Sequence, residues 1–317
     1  MKSRLLKSRL LKNGITTSLI ATSALTFNVY AASPESINLG ILGGENSEAQ
    51  IGNNQCVAQF MQQELGVKTN IRNSSDYNSV IQGLLGKKID LVINMSPKAF
   101  AEVHLHDPSA VDLVGLVTDN TDNSRGYHSI IVVKKESPYQ SINDLRGGSF
   151  AFADPNSTSG YLVPNNQLEQ QIGGTMDDSY NHFFESIGFS GGHEQNIVGV
   201  INGQFDAAVT ASSLTGDESM GYSAGALHRF ARHNPEVMDE IRIIWASPLI
   251  ANGSTIVSND LDPQFKDKLV AAVKKLDKED NDCFSKAAGG LRHLTDTSLE
   301  EYKSVIDLVK ATKFTQR

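Results

Sequence analysis

From Ile37 onward the chain alternates short apolar runs with amphipathic stretches, and this rhythm restricts the fold more than any other feature. Ile37–Leu42 (INLGIL) has the length and apolar density of a buried strand. Val57, Phe60, Met61 and Leu65 recur at helical spacing, which predicts a helix over Asn54–Leu65. Val67–Ile71 reads as a strand, Tyr77–Leu85 as a helix with Val80, Ile81, Leu84 and Leu85 inward, and Ile89–Ile93 as another strand. Such a βαβαβ succession builds a mostly parallel sheet covered by helices. Strand-like runs continue at Val111–Val117 and Tyr127–Val133.

A second module opens at Ser149–Ala153 (SFAFA), a strand that runs directly into Asp154-Pro155-Asn156-Ser157-Thr158-Ser159-Gly160. A helix begins near Ser157 or Thr158. Glu194–Asn202 reads as a helix, and Phe205–Val209 and Ile241–Ala246 as strands. Asp262-Pro263 has the form of an N-cap with proline at the first helical position, followed by Phe265, Leu269, Val273 and Leu276 on one face. Ser298-Leu299-Glu300-Glu301 has the form of a capping box. The expected fold is therefore α/β with two lobes: residues 32–126, then 127–247, then 248–317 returning to complete the first. The chain crosses between lobes near Tyr127–Val133 and Ala246–Ile250, and a small molecule is expected in the cleft between them.

The segment Asp154–Pro164 (DPNSTSGYLVP) carries the chemistry. The first N–H groups of a helix have no partner within it and share the positive end of its dipole. Hydroxyls of Ser157, Thr158 and Ser159 add neutral donors there, and Gly160 would permit close approach of a ligand to the backbone. Together they form an anion cradle without fixed positive charge. A competing reading is that Ser and Thr at a helix start cap only their own backbone.

Residues 1–12 hold Lys2, Arg4, Lys7, Arg9 and Lys12 with no acid, a less polar stretch runs from Ile15 to Tyr30, and Val29-Tyr30-Ala31-Ala32 supplies small residues. This is the pattern of a secretory signal peptide, residues 1–31, cleaved after Ala31. Without it the chain keeps 23 Lys and Arg against 36 Asp and Glu, a net charge of −13. That argues against a nucleic-acid partner, and it obliges any anion site to rely on local donors. Cys56 and Cys283 remain. In an oxidising compartment they either pair or stay as two buried thiols, and the sequence leaves both open.

DPNSTSGYLVP resembles the phosphate-binding segment of the phosphonate-binding proteins of ABC transporters, the PhnD-like family. Ser75-Asp76-Tyr77 with Val80-Ile81-Gln82-Gly83, Lys88-Ile89-Asp90-Leu91, Gly126-Tyr127-His128-Ser129, Gly192-His193-Glu194 and Trp245–Ile250 resemble further family elements, in family order. The resemblance implies a type II periplasmic binding protein that captures a phosphonate, phosphite or phosphate for an inner-membrane permease. It implies that Ser157, Thr158 and Ser159 bind the phosphoryl oxygens, that Tyr77 and Tyr127 donate hydroxyls from the opposite side, and that His193 adds a ring N–H. A dianion beside His193 would raise its pKa and tighten binding at mildly acidic pH. Family members that take 2-aminoethylphosphonate hold its amine with acidic residues. The matching regions here, Thr210–Leu214 and Ala251–Thr255, contain no carboxylate. Burying an unpaired ammonium costs several kcal/mol, so the expected ligand has no amine and a neutral tail, although Asp206 and Asp217 lie close in sequence.

The rival readings are a sensory binding protein for the same ligand and, more remotely, a serine-type hydrolase with His193 as base and Asp154 or Asp206 as its orienting partner. No Gly-x-Ser-x-Gly elbow supports the hydrolase. His104-x-His106 near Asp107, on an expected loop, is a poor match to metal-ligand spacing. No metal or cofactor is expected, and the protein is expected to be a periplasmic monomer.

Overall fold

The computed structural model describes residues 33–43 and 47–315. The signal-peptide segment lies outside them. The alternation expected from the sequence builds two six-stranded sheets. The first contains β1 (Ser36–Ile41), β2 (Lys68–Asn73), β3 (Leu91–Met95) and β4 (Val111–Asp119), with β11 (Ser254–Ser258) and β12 (Arg292–Thr295) from the end of the chain, in the order β12-β4-β11-β3-β1-β2. The second holds β5 (Gly126–Lys134), β6 (Ser149–Phe152), β7 (Ser186–Phe189), β8 (Ala207–Ser212), β9 (Ile241–Ala246) and β10 (Ile250–Ala251), in the order β10-β5-β8-β6-β7 with β9 also on β5.

Each sheet is mixed. Parallel pairing is confined to β2-β1-β3 and to β7-β6-β8. The strands next to each crossing run antiparallel, because a chain that leaves one sheet and re-enters the other returns in the opposite sense. Ile250 and Ala251 pair with Tyr127 and Gly126 in the second sheet. Sheet membership therefore changes at Asn252-Gly253, just beyond the expected Ala246–Ile250, and between Asp119 and Gly126 on the outward crossing.

Strand alternation explains the core. In β3, Leu91 and Ile93 face one apolar cluster and Val92 the other, which Met95 joins because Asn94, at positive φ, breaks the alternation. In β5, Ile131 and Val133 face one side and Ile130 and Val132 the other, all four with 0% exposure. Both sheets are thus covered on both faces, which is why these strands read as continuous apolar runs. Helices Ser47–Leu65, Pro263–Glu279 and Asn281–Ala288 cover one face of the first sheet, and helix Lys303–Thr315 packs with helix Pro97–His106 on the other. Asp262 caps its helix as expected, accepting from the N–H of Gln264 and Phe265. Cys56 and Cys283 form a disulfide, with their Cα atoms 5.9 Å apart, between helices Ser47–Leu65 and Asn281–Ala288.

Two local expectations fail. Ser298 makes no side-chain cap bond, because the Glu301 N–H goes to the Ser298 carbonyl in a 3-10 turn, and the Glu301 carboxylate is taken by Arg125 and Thr297. His104 and His106 occupy the last turn of helix Pro97–His106, not a loop. Residues two apart on a helix do not face each other, and His104 stacks on Phe100. No group of metal-ligating side chains occurs among the described residues.

Candidate functional site

A cleft of about 120 Å3 lies between the sheets. Its second-sheet wall is the turn after β6. There Asp154 Oδ1 accepts from the Asn156 N–H at 2.6 Å, folding the turn. Ser157 is extended (φ −79°, ψ 140°) and acts as N-cap, its Oγ accepting from the Gly160 N–H at 2.9 Å. The first turn, Thr158–Leu162, is a π turn. Ser157 and Ser159 line the cleft. Ser157 thus combines both readings of the sequence, a cap whose hydroxyl also reaches the pocket.

Thr158 does not line the cleft. Its Oγ1 meets Ser96 Oγ at 3.0 Å and accepts from the Lys98 N–H at 2.8 Å, both at the start of helix Pro97–His106. Ser157 and Ser159 face the cleft while the Thr158 hydroxyl is taken up by the start of that helix. Gly160 also has another role than expected. A Cβ there would sit 2.7 Å from Ala153 Cβ and 2.8 Å from Ser157 Oγ, so glycine serves packing of the turn on β6.

Tyr77 begins helix Tyr77–Leu85, set by the Asp76 cap on the Ser79 N–H, and lines the cleft from the first lobe. Its own N–H donates to Asp154 Oδ2 at 3.3 Å. Burial raises the pKa of Asp154. Tyr127 lines the cleft from β5; burial raises its pKa, opposed by hydrogen bonds to Ser159 and Thr158. His193 opens helix His193–Ile201, is 4% exposed, and places Nε2 3.3 Å from Ser157 Oγ. Five of the six expected residues are therefore brought together.

In the ligand-free cleft His193 starts from a lowered pKa. Burial and, second, the Arg229 guanidinium push it down to about 3. The cradle is not free of fixed positive charge either. Arg229, Lys286 and Arg292 line the same cleft, and no carboxylate does among the described residues. Asp206 is held by Ser149 and Tyr139, and Asp217 caps a short 3-10 turn through Ser219, so neither reaches the pocket. Arg292 carries no motif: it sits in an ordinary strand sequence, RHLT, and only the fold brings it opposite residues more than a hundred positions away.

Two rims bring the lobes together. On one, the Asp154, Asn156 and Thr158 side chains meet Tyr77, Ser96 and Lys98. On the other, the Leu291 N–H donates to Ser223 O at 3.0 Å and the Gly225 N–H to Gly289 O at 3.3 Å. Between them, Asn94, at positive φ (61°), donates to Ala288 O at 2.7 Å. Gly253 faces Asn94, where a Cβ would lie 2.0 Å from Asn94 Oδ1.

Two mixed sheets, a hydroxyl-lined cleft between them and a rim on either side define a two-lobe solute-binding protein. The family model for the phosphonate periplasmic substrate-binding proteins of ABC transporters matches residues 39–307, and the chain belongs to that family. It is 29% identical over 256 residues to the phosphonates-binding periplasmic protein of Escherichia coli, covering 79% of this chain and 69% of that protein. It is 26% identical to the phosphate-import protein PhnD of Mycolicibacterium smegmatis, over 88% of each. Among solved structures, PhnD1 of Prochlorococcus marinus in complex with methylphosphonate has the same fold, at a TM-score of 0.70 and 19% identity over 89% of this chain and 99% of that one. So has a binding protein component of a Pseudomonas aeruginosa phosphonate transporter, at a TM-score of 0.69 and 24% identity over 86% and 85%.

Proposed function

We propose that this chain is the periplasmic receptor of an ABC importer and captures a small phosphorus oxyanion, a phosphonate, phosphite or phosphate, between its lobes. The observation that carries this is the convergence of Ser157, Ser159, Tyr77, Tyr127 and His193 on one cleft whose described lining has no carboxylate. Neutral donors surround the phosphoryl oxygens, and a tetrahedral oxyanion offers enough acceptors for all of them. The two relatives named for phosphonates and for phosphate support the same ligand class.

Binding works by closure. The ligand meets the second-lobe cradle, and the first lobe then carries Tyr77 over it, with rotation absorbed where the chain crosses between sheets. Thr158 acts as a latch on the first lobe in this scheme. The remaining assignments follow: residues 1–31 direct secretion and are removed after Ala31, the monomeric closed form docks an inner-membrane permease, and no nucleic acid is bound.

Ser157 and His193 are within hydrogen-bond reach, so a hydrolase has to be weighed. His193 Nδ1 is buried without a hydrogen-bond partner, Asp154 is committed to Tyr77 and Asn156, and Asp206 to Ser149. A base with no orienting partner and a pKa near 3 is a poor proton acceptor at neutral pH. This favours binding without turnover.

A thermal-shift screen tests the reading, since a ligand that binds only the native state raises Tm with occupancy. Phosphite, phosphate or methylphosphonate should raise it, each more than 2-aminoethylphosphonate at equal concentration. No shift with any of the phosphorus oxyanions, or a ten-fold calorimetric preference for the amine, overturns it.

A further inference from the structure

We propose that the pocket reads a second negative charge on its ligand, that Arg292 is the residue that reads it, and that the cargo is a short phosphonate whose tail carries a carboxylate. This rests on the reading above that the hydroxyl cradle holds the phosphorus head.

Arg292 lies on β12 in the first sheet and lines the cleft, yet is only 5% exposed. Its Nε and Nη1 have no hydrogen-bond partner. The facing carboxylate, Asp119, is 3.7 Å from Nη1, beyond hydrogen-bonding distance. That carboxylate already accepts from the Ser223 hydroxyl and the Thr121 N–H. A buried guanidinium with unused donors is costly, and one that lines a cleft is a strong hydrogen-bonding partner for a ligand carboxylate.

The surroundings point the same way. Arg229 and Lys286 line the cleft beside it. Arg229 packs against the Gly289 backbone, where a Cβ would sit 2.5 Å from Nη1. Burial, opposed by Asp119 and reinforced by Arg229, lowers the pKa of Arg292 to about 10, so it stays charged at neutral pH. A tail amine would enter among cations, with no carboxylate in the described lining to meet it. A methyl tail would leave the Arg292 donors unused.

The test is calorimetry with phosphonoacetate, propylphosphonate and 2-aminoethylphosphonate on the wild type, R292Q and R292K. Phosphonoacetate should bind the wild type at least ten-fold tighter than propylphosphonate. R292Q should weaken phosphonoacetate at least ten-fold more than propylphosphonate, and R292K should restore part of the difference. Equal wild-type affinity for the two overturns the proposal whether or not the variants fold. Equal losses for both ligands in R292Q also overturn it, by placing Arg292 on the head group. Binding of no phosphonate at all removes the underlying function, and this proposal with it.

Discussion

At His193 burial opposes the effect of a bound anion. A nearby dianion favours imidazolium, but the ring starts from a pKa of about 3, set by burial and by Arg229. Between pH 5.5 and 8.5 the free protein therefore carries it neutral, as an N–H donor or acceptor. Affinity for a ligand of constant charge should be flat over that range; a ten-fold rise toward pH 5.5 that disappears in H193Q would contradict this. Stability behaves differently. The unfolded chain binds a proton at His193 near pH 6.5 and the folded chain does not until about 3. Stability therefore falls as pH drops below 6.5, by up to about 1.4 kcal/mol per pH unit from this group. Urea unfolding of H193Q against wild type at pH 4.5 to 7 should show a shallower slope for the variant. Ser157, Ser159, Tyr77, Tyr127 and His193 were legible because each belongs to a short run with a recognisable neighbourhood. Arg292 was not: a charged residue in a half-polar strand looks like a solvated face until the tertiary fold buries it.

The elements that close the cleft are two helix starts. The first turns of Tyr77–Leu85 and Pro97–His106 present unpaired N–H groups, and the second lobe answers with Asp154 and Thr158. Thr158→Val keeps the shape but leaves the Lys98 N–H without its acceptor, a loss of about 1–2 kcal/mol. Since these bonds bridge the lobes, the loss falls on the closed state. Affinity should drop about ten-fold, mostly through faster dissociation, with little change in Tm of the ligand-free protein; stopped-flow rates would check the split. Helix Pro97–His106 escapes sequence reading for a specific reason. Pro97 to Ala101 are buried in unbroken succession, Lys98 included, so the 3.6-residue period that betrays a surface helix is missing. The β strands were easier, since burial on both faces makes them continuous apolar runs.

At the scale of the whole molecule, the last fifth of the chain returns to the first lobe and is fastened there by Cys56–Cys283, which spans 227 residues. The two bridged helices also supply pocket wall, through Gln50 and Asn54 on one and Lys286 to Ala288 on the other. Reduction, or C56S with C283S, should cost about 2–4 kcal/mol, a Tm fall of roughly 5–15 °C. Ligand affinity should fall as well; an unchanged Tm after complete reduction would show that the packing of these helices suffices. The far rim behaves otherwise. Beside the Ser223 hydroxyl on Asp119, two of its bonds, Leu291 N–H to Ser223 O and Gly225 N–H to Gly289 O, join main chain to main chain. Exchanging side chains inside the pocket leaves them in place. A lineage built on this scaffold can therefore change what it carries, one pocket residue at a time, while inheriting the main-chain part of its closure unaltered.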